Sequence, residues 1–158
     1  MEGKPMLQTF KAIVLILITT FTMGSVFGQN QNKLIEITDQ NVRASLPGQS
    51  VSSAYLTIEN KSSTPDRLIS VSFTGAKEVQ IHEMKMDGNN MMMRQLPSLE
   101  IPAKGKAELK PGGNHLMLMS LKEPIQNGQT IKMTLQFESA GKVEVDFPVR
   151  AMSGHMMH

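Results

Sequence analysis

Alternation of apolar and polar residues recurs along most of the chain. It runs through "LIEIT" (Leu34–Thr38), "VSSAYLTIEN" (Val51–Asn60), "RLISVSFT" (Arg67–Thr74) and "EVQIHEM" (Glu78–Met84). It returns in "KAELK" (Lys106–Lys110), "HLMLMSL" (His115–Leu121), "TIKMTLQFE" (Thr130–Glu138) and "KVEVDFPV" (Lys142–Val149). A period of two places neighbouring side chains on opposite faces of a strand. Ala54, Leu56 and Ile58 therefore share one face, as do His115, Met117 and Met119. Turn-forming stretches separate these segments: "LPGQ", "NKSSTPD", "DGNN", "IPAKG", "KPGGN", "QNGQ" and "SAGK". No stretch holds a helical period over three turns. Short strands at this spacing predict an all-β antiparallel sandwich or barrel in a single domain.

The first 28 residues break the pattern. Lys4 and Lys11 precede an apolar run, "AIVLILITTF" (Ala12–Phe21), and "SVFG" (Ser25–Gly28) follows it. A basic start, a short apolar centre and small residues before a cut describe a cleavable export signal; the centre is too short to span a bilayer. Residues 1–28 are expected to be a signal peptide, with the mature chain starting near Gln29. Residues 29–149 form the β domain, and 150–158 form a flexible tail without strand pattern. The protein is therefore expected to be periplasmic or secreted, with no stable membrane insertion, and to be a monomer.

Composition narrows the chemistry. The formal net charge is only +2 and no basic cluster exists, which argues against a nucleic-acid partner. There is no cysteine. That removes disulfides, thiolate metal sites, thiol catalysis and the usual bacterial lipid attachment. It also removes an electron-transfer blue-copper site, which needs a thiolate. Methionine, by contrast, occurs 14 times. Outside the leader, every methionine except Met133 sits near a histidine. Met84, Met86, Met91, Met92 and Met93 follow His82. Met117 and Met119 follow His115. Met152, Met156 and Met157 surround His155 and His158.

His82, Met93, His115 and Met117 are the candidate metal ligands. Thioether sulfur is soft and neutral, and imidazole is borderline, so the set suits Cu(I) better than zinc, calcium or magnesium. The turn "DGNN" lets a hairpin fold Met93 back toward His82, and "PGG" presents His115 and Met117 at a strand start. A lone methionine usually fills core gaps. On that ground Met84, Met86, Met91, Met92 and Met119 are expected chiefly as packing residues, and shielding or transient ligation stays open for Met84 and Met119.

The spacing H-x10-M-x21-H-x-M resembles that of the periplasmic copper chaperone family PCu(A)C. "AYLTIEN", "DRLISVS", "VQIHEM", "LKPGGNHLMLMSLK" and "GQTIKMTLQFESAG" resemble its pattern as well, so the likeness covers most of the mature chain. The resemblance implies a cupredoxin-like Greek-key β-barrel or sandwich that binds Cu(I) and is not an enzyme. It also implies a copper-accepting partner: an oxidase subunit, with delivery to the binuclear copper centre of cytochrome c oxidase, or a thiol copper carrier on the way there. The tail resembles His/Met-rich extensions in that family, which implies a second copper at Met152, His155, Met156, Met157 and His158; imidazole favours Cu(II) more than thioether does, so His155 and His158 are expected to hold it as Cu(II), and the methionines after reduction. Two other readings remain: a periplasmic copper-buffering or resistance protein, and a β-sandwich module that holds no metal.

Overall fold

β2 (Ser52–Asn60) shows how the sequence builds the fold. Ser52, Ala54, Leu56, Ile58 and Asn60 all face inward and are buried, and the residues between them are half-buried. The same alternation builds the rest of a computed structural model, which describes residues 34–151. In chain order the other strands are β1 (Ile35–Arg43), β3 (Asp66–Ser72), β4 (Ala76–Asp87), β5 (Asn90–Leu96) and β6 (Leu99–Ile101). β7 (Lys106–Leu109), β8 (His115–Leu121), β9 (Thr130–Phe137) and β10 (Gly141–Arg150) complete them.

The strands close on themselves. The ring runs β4-β8-β2-β1-β10-β9-β3 and returns to β4 through the pair Val71↔Val79. Closure leaves no open edge on those strands. β5, β6 and β7 are added outside the ring, on β4, β3 and β2 respectively. The β1–β10 pairing is parallel, and the other strand pairs are antiparallel. No helix occurs among the described residues. This is the all-β Greek-key barrel that the alternation and the resemblance led us to expect.

The interior is filled by Val42, Leu56, Ile58, Leu68, Ile101, Leu116, Leu118, Met133, Leu135, Phe137 and Phe147, all nearly inaccessible. These side chains carry no nitrogen or oxygen that could hold an ion. Met133, the methionine without a histidine near it, is an ordinary core residue.

Three differences from the sequence reading have local causes. β1 continues to Arg43 because a bulge between Thr38 and Asn41 interrupts, but does not end, its pairing with β2. Asp39, with φ of 58°, occupies the left-handed conformation at that bulge. β5 and β6 are additional strands. β5 carries three successive methionines and so shows no alternation, and β6 is three residues long.

One buried carboxylate ties the barrel together at the start of β3. Asp66 opens β3 and is buried. Its Oδ1 accepts the backbone N–H groups of Arg67 at 2.7 Å and Ser139 at 2.8 Å, and its Oδ2 accepts that of Ala140 at 3.0 Å. The side chain thus pins the β9–β10 turn onto β3. Asp66→Ala should lower the unfolding free energy by about 3 kcal/mol, because buried N–H groups lose their acceptors. A urea titration of the metal-free protein checks this.

Candidate metal centre

The centre starts with an excursion of the chain. β7 and β8 both pair with the same side of β2, at Leu56↔Leu109 and Ala54↔Leu116. Only Tyr55 separates these partners on β2, so Lys110–Asn114 must loop outward from the sheet. Lys110 N–H donates to the Asn114 carbonyl at 2.7 Å, and Gly113 N–H donates to the Lys110 carbonyl at 3.0 Å. Gly112 has φ of 80°, a conformation that glycine adopts without steric cost. The Gly113 carbonyl then faces β4 and β8 together. It accepts the backbone N–H of Met84 at 3.3 Å and the Nδ1–H of His115 at 3.0 Å.

Register decides which side chains meet. β8 lies between β2 and β4. His82 pairs directly with His115, and Met117 pairs with Gln80 on one side and Ser53 on the other. Along the β4–β5 hairpin, Met84 pairs with Met93 and His82 with Gln95. Directly paired residues of antiparallel strands share a face. His82, Met84, Met93, His115 and Met117 therefore stand on one face, opposite the core residues Ile81, Leu116 and Leu118. The ring centroids of His82 and His115 lie 5.7 Å apart in an edge-to-face arrangement. An ion about 2 Å from one nitrogen of each ring fits a separation of this size. Met93 is diagonal to His82 across the hairpin, a distance that long side chains bridge. The Ser53 hydroxyl donates to Met117 Sδ at 3.8 Å.

Exposure varies sharply across this face. His115 is 4% exposed, His82 and Met117 are half-buried, and Met93 is 49% exposed. His115 is covered although its strand face points away from the core, because the Gly113 loop and the His82 ring close over it.

The hydrogen bonds assign both tautomers. His115 donates through Nδ1, so its lone pair is on Nε2. His82 donates through Nε2 to Gln80 Oε1 at 2.8 Å, so its lone pair is on Nδ1. That Nδ1 is buried and has no hydrogen-bond partner. An orphaned buried acceptor is a cost that a cation would remove. Burial, and secondarily the neighbouring His115, pushes the His82 pKa below its ordinary value. The ring is thus held neutral, the state in which imidazole binds metal. Among the described residues no three or more His, Cys, Asp or Glu converge on a common point. The face around the two rings offers imidazole and thioether groups.

Known proteins share this architecture. Residues 35–149 match the family described as LpqE-like, putative lipoprotein LpqE-like. The chain belongs to that family. A putative lipoprotein of Leifsonia xyli subsp. xyli, Lxx21020, is 32% identical over 108 residues, which cover 68% of this chain and 65% of that protein's length. The match thus spans just under two thirds of the relative. Among solved structures, the copper-bound PCuAC domain from PmoF2 superposes with a TM-score of 0.66 at 30% identity, over 75% of this chain and 93% of that one. The Cu(I) form of DR1885 from Deinococcus radiodurans gives 0.57 at 32% identity, over 72% and 78%. Its apo form gives 0.60 at 27% identity, over 95% and 93%. The LpqE-like chain thus has the cupredoxin-like fold of the PCuAC domains.

The barrel brings His82, Met93, His115 and Met117 onto one surface, as their spacing led us to expect. Gln80, Ser53 and the Gly113 carbonyl escaped the sequence reading, because only strand register puts them beside the rings. Met119 is half-buried on the same face, opposite Glu78. The packing role expected of Met86, Met91 and Met92 is corrected: all three are exposed on a hairpin that runs beyond the barrel. The tail strand boundary also moves, since Arg150 still pairs with Arg43. The signal peptide expected at 1–28 and the tail residues Met152, His155, Met156, Met157 and His158 lie outside the described residues.

The lowered His82 pKa links folding to pH. Below pH 6.5 an unfolded histidine takes up a proton that the folded His82 refuses, so the metal-free protein loses stability as pH falls. The loss begins near 6.5 and is complete once pH has passed the lowered folded value. Urea titrations of wild type and His82→Gln should show a difference in unfolding free energy that changes across this window. A difference constant with pH would contradict the assignment.

Proposed function

We propose that this LpqE-like chain is an extracytoplasmic copper carrier, not a catalyst, holding one Cu(I) through His82, Met93, His115 and Met117. The observation that carries the reading is the orphaned Nδ1 of His82, buried beside a second imidazole in a patch whose other candidate donors are thioethers. Soft neutral donors select a soft cation of low charge. The bound ion adds a single positive charge, which the patch accommodates without a carboxylate. Similarity to PCuAC domains solved with copper supports the same conclusion.

Transfer follows from the gradient of exposure. His115 is held by the Gly113 carbonyl and covered, whereas Met93 stands at the surface on a hairpin strand. An acceptor's donor would approach on the Met93 side, and Met93 would be displaced first. A thioether leaves without needing a proton, so exchange needs no acid. His82 and His115 would leave last and keep the ion oriented. We take the acceptor to be a thiol copper carrier or an oxidase subunit, with the binuclear centre of cytochrome c oxidase as the destination. Export through the leader expected at residues 1–28 would put the carrier in that compartment. No helix among the described residues is long and apolar enough to cross a membrane.

A Cu(I) titration against a chromogenic chelator should reveal one tight equivalent that depends on these four residues. The Met93→Ala, His115→Ala, Met117→Ala triple variant should lose it; undiminished tight binding by that variant would sink the proposal. Cu(I) free at a hundred times its dissociation constant should stabilise the wild type by about 2.7 kcal/mol. The tail imidazoles His155 and His158 would add a Cu(II) equivalent, which truncation after Ala151 would remove while sparing the Cu(I).

A further inference from the structure

The β4–β5 hairpin sorts its methionines by face. Met84 pairs with Met93, and Met86 pairs with Met91 one row further out, just before the closing pair Asp87↔Asn90. These four stand on the face that carries His82. The opposite face carries Glu83 bound to Arg94 at 2.7 Å, then Lys85 opposite Met92. Met86 and Met91 are 57% and 60% exposed, so they pack into no core. Met92 is equally exposed, at 57%, yet it stands alone against a lysine. A solvated hairpin needs no apolar row in water, and packing gives no reason for four thioethers to share a face.

We infer that Met84, Met86, Met91 and Met93 form a second site for a soft monovalent cation, Cu(I) or Ag(I), which loads the inner centre. The inference rests on the inner-centre reading for its direction of transfer. Directly paired side chains have Cβ atoms about 5 Å apart. Methionine has three rotatable bonds beyond that point. The two sulfurs of one row can therefore converge on one ion. The next row lies about 7 Å along the strands. An ion held by Met86 and Met91 can gain Met84 and Met93 before it loses the outer pair. Met93 then belongs to both sites and hands the ion to His82 and His115. Each step exchanges one dative sulfur bond for another, and the ion stays monovalent throughout. The outer site offers only thioethers, so it is the weaker of the two and the ion moves inward.

The test is a titration of the full chain, labelled with 13C at the methionine methyl groups, with Ag(I) as nitrate in chloride-free and thiol-free buffer. Single Met→Leu variants assign the signals. The methyl groups of Met93 and Met117 should respond in a tight phase. Those of Met86 and Met91 should then respond together, half-saturating at an Ag(I) concentration at least tenfold below that required by Met92. The Met86→Leu, Met91→Leu double variant keeps the surface apolar and should lose only the weaker phase. If Met86 and Met91 stay unmoved, or merely track Met92, the outer site is overturned, even with Met93 and Met117 responding normally. If Met86 and Met91 respond as a pair while Met117 does not, the outer site stands and the four-residue inner centre falls.

Discussion

The pairing of His82 with His115 across β4 and β8 is the constraint on which the centre depends. Side chains alternate with a period of two, so a slip by one residue would turn both imidazoles into the barrel and Ile81 and Leu116 into water. The barrel prevents that slip from both sides. β4 is held by β3, β5 and β8, and β8 is held by β4 and β2. Leu116 and Leu118 have no exposure at all, so their burial sets the cost of any other register. The apolar interior thus fixes the outer face, where the donors stand.

The loop between β7 and β8 converts that register into a binding surface. A strand that continued straight from Leu109 would turn His115 to the same face as the buried Leu109, toward the core. Looping out at Tyr55 instead folds Gly113 over it. One carbonyl then joins the β4 backbone at Met84 to the ring of His115. The bond fixes the tautomer, as outer-sphere partners of metal-binding histidines do. Gln80 does the same for His82 through its side chain. Burial keeps the His82 ring in the neutral form that binds metal. The covered histidines and the exposed Met93 give the centre a fixed side and a movable side, which is the asymmetry a carrier needs.

Much of this was legible in the sequence, because strand alternation is local. β8 has the boundaries its alternation indicated, and β2 differs by a single residue. Spacing and softness singled out four residues that the register places on one face, and "DGNN" did bring Met93 back across a hairpin. Other features were not legible, for physical reasons. Three consecutive methionines in β5 erase the period that marks a strand. The bulge at Asp39 hides the second half of β1. The packing role expected of Met86, Met91 and Met92 follows methionine's habit in cores, but the hairpin carries them past the barrel, where no core exists. The roles of Gln80, Ser53 and Gly113 depend on partners from other strands, and no local pattern announces them.

In the proposed carrier the two oriented imidazoles act together with thioethers on one ion. X-ray absorption at the copper edge of the Cu(I)-loaded chain, truncated after Ala151 and held at one equivalent, tests this directly. A mixed shell is expected, with two nitrogen scatterers that show the outer-ring signature of imidazole and two sulfur scatterers. A shell of sulfur alone, or of nitrogen and oxygen without sulfur, would contradict it.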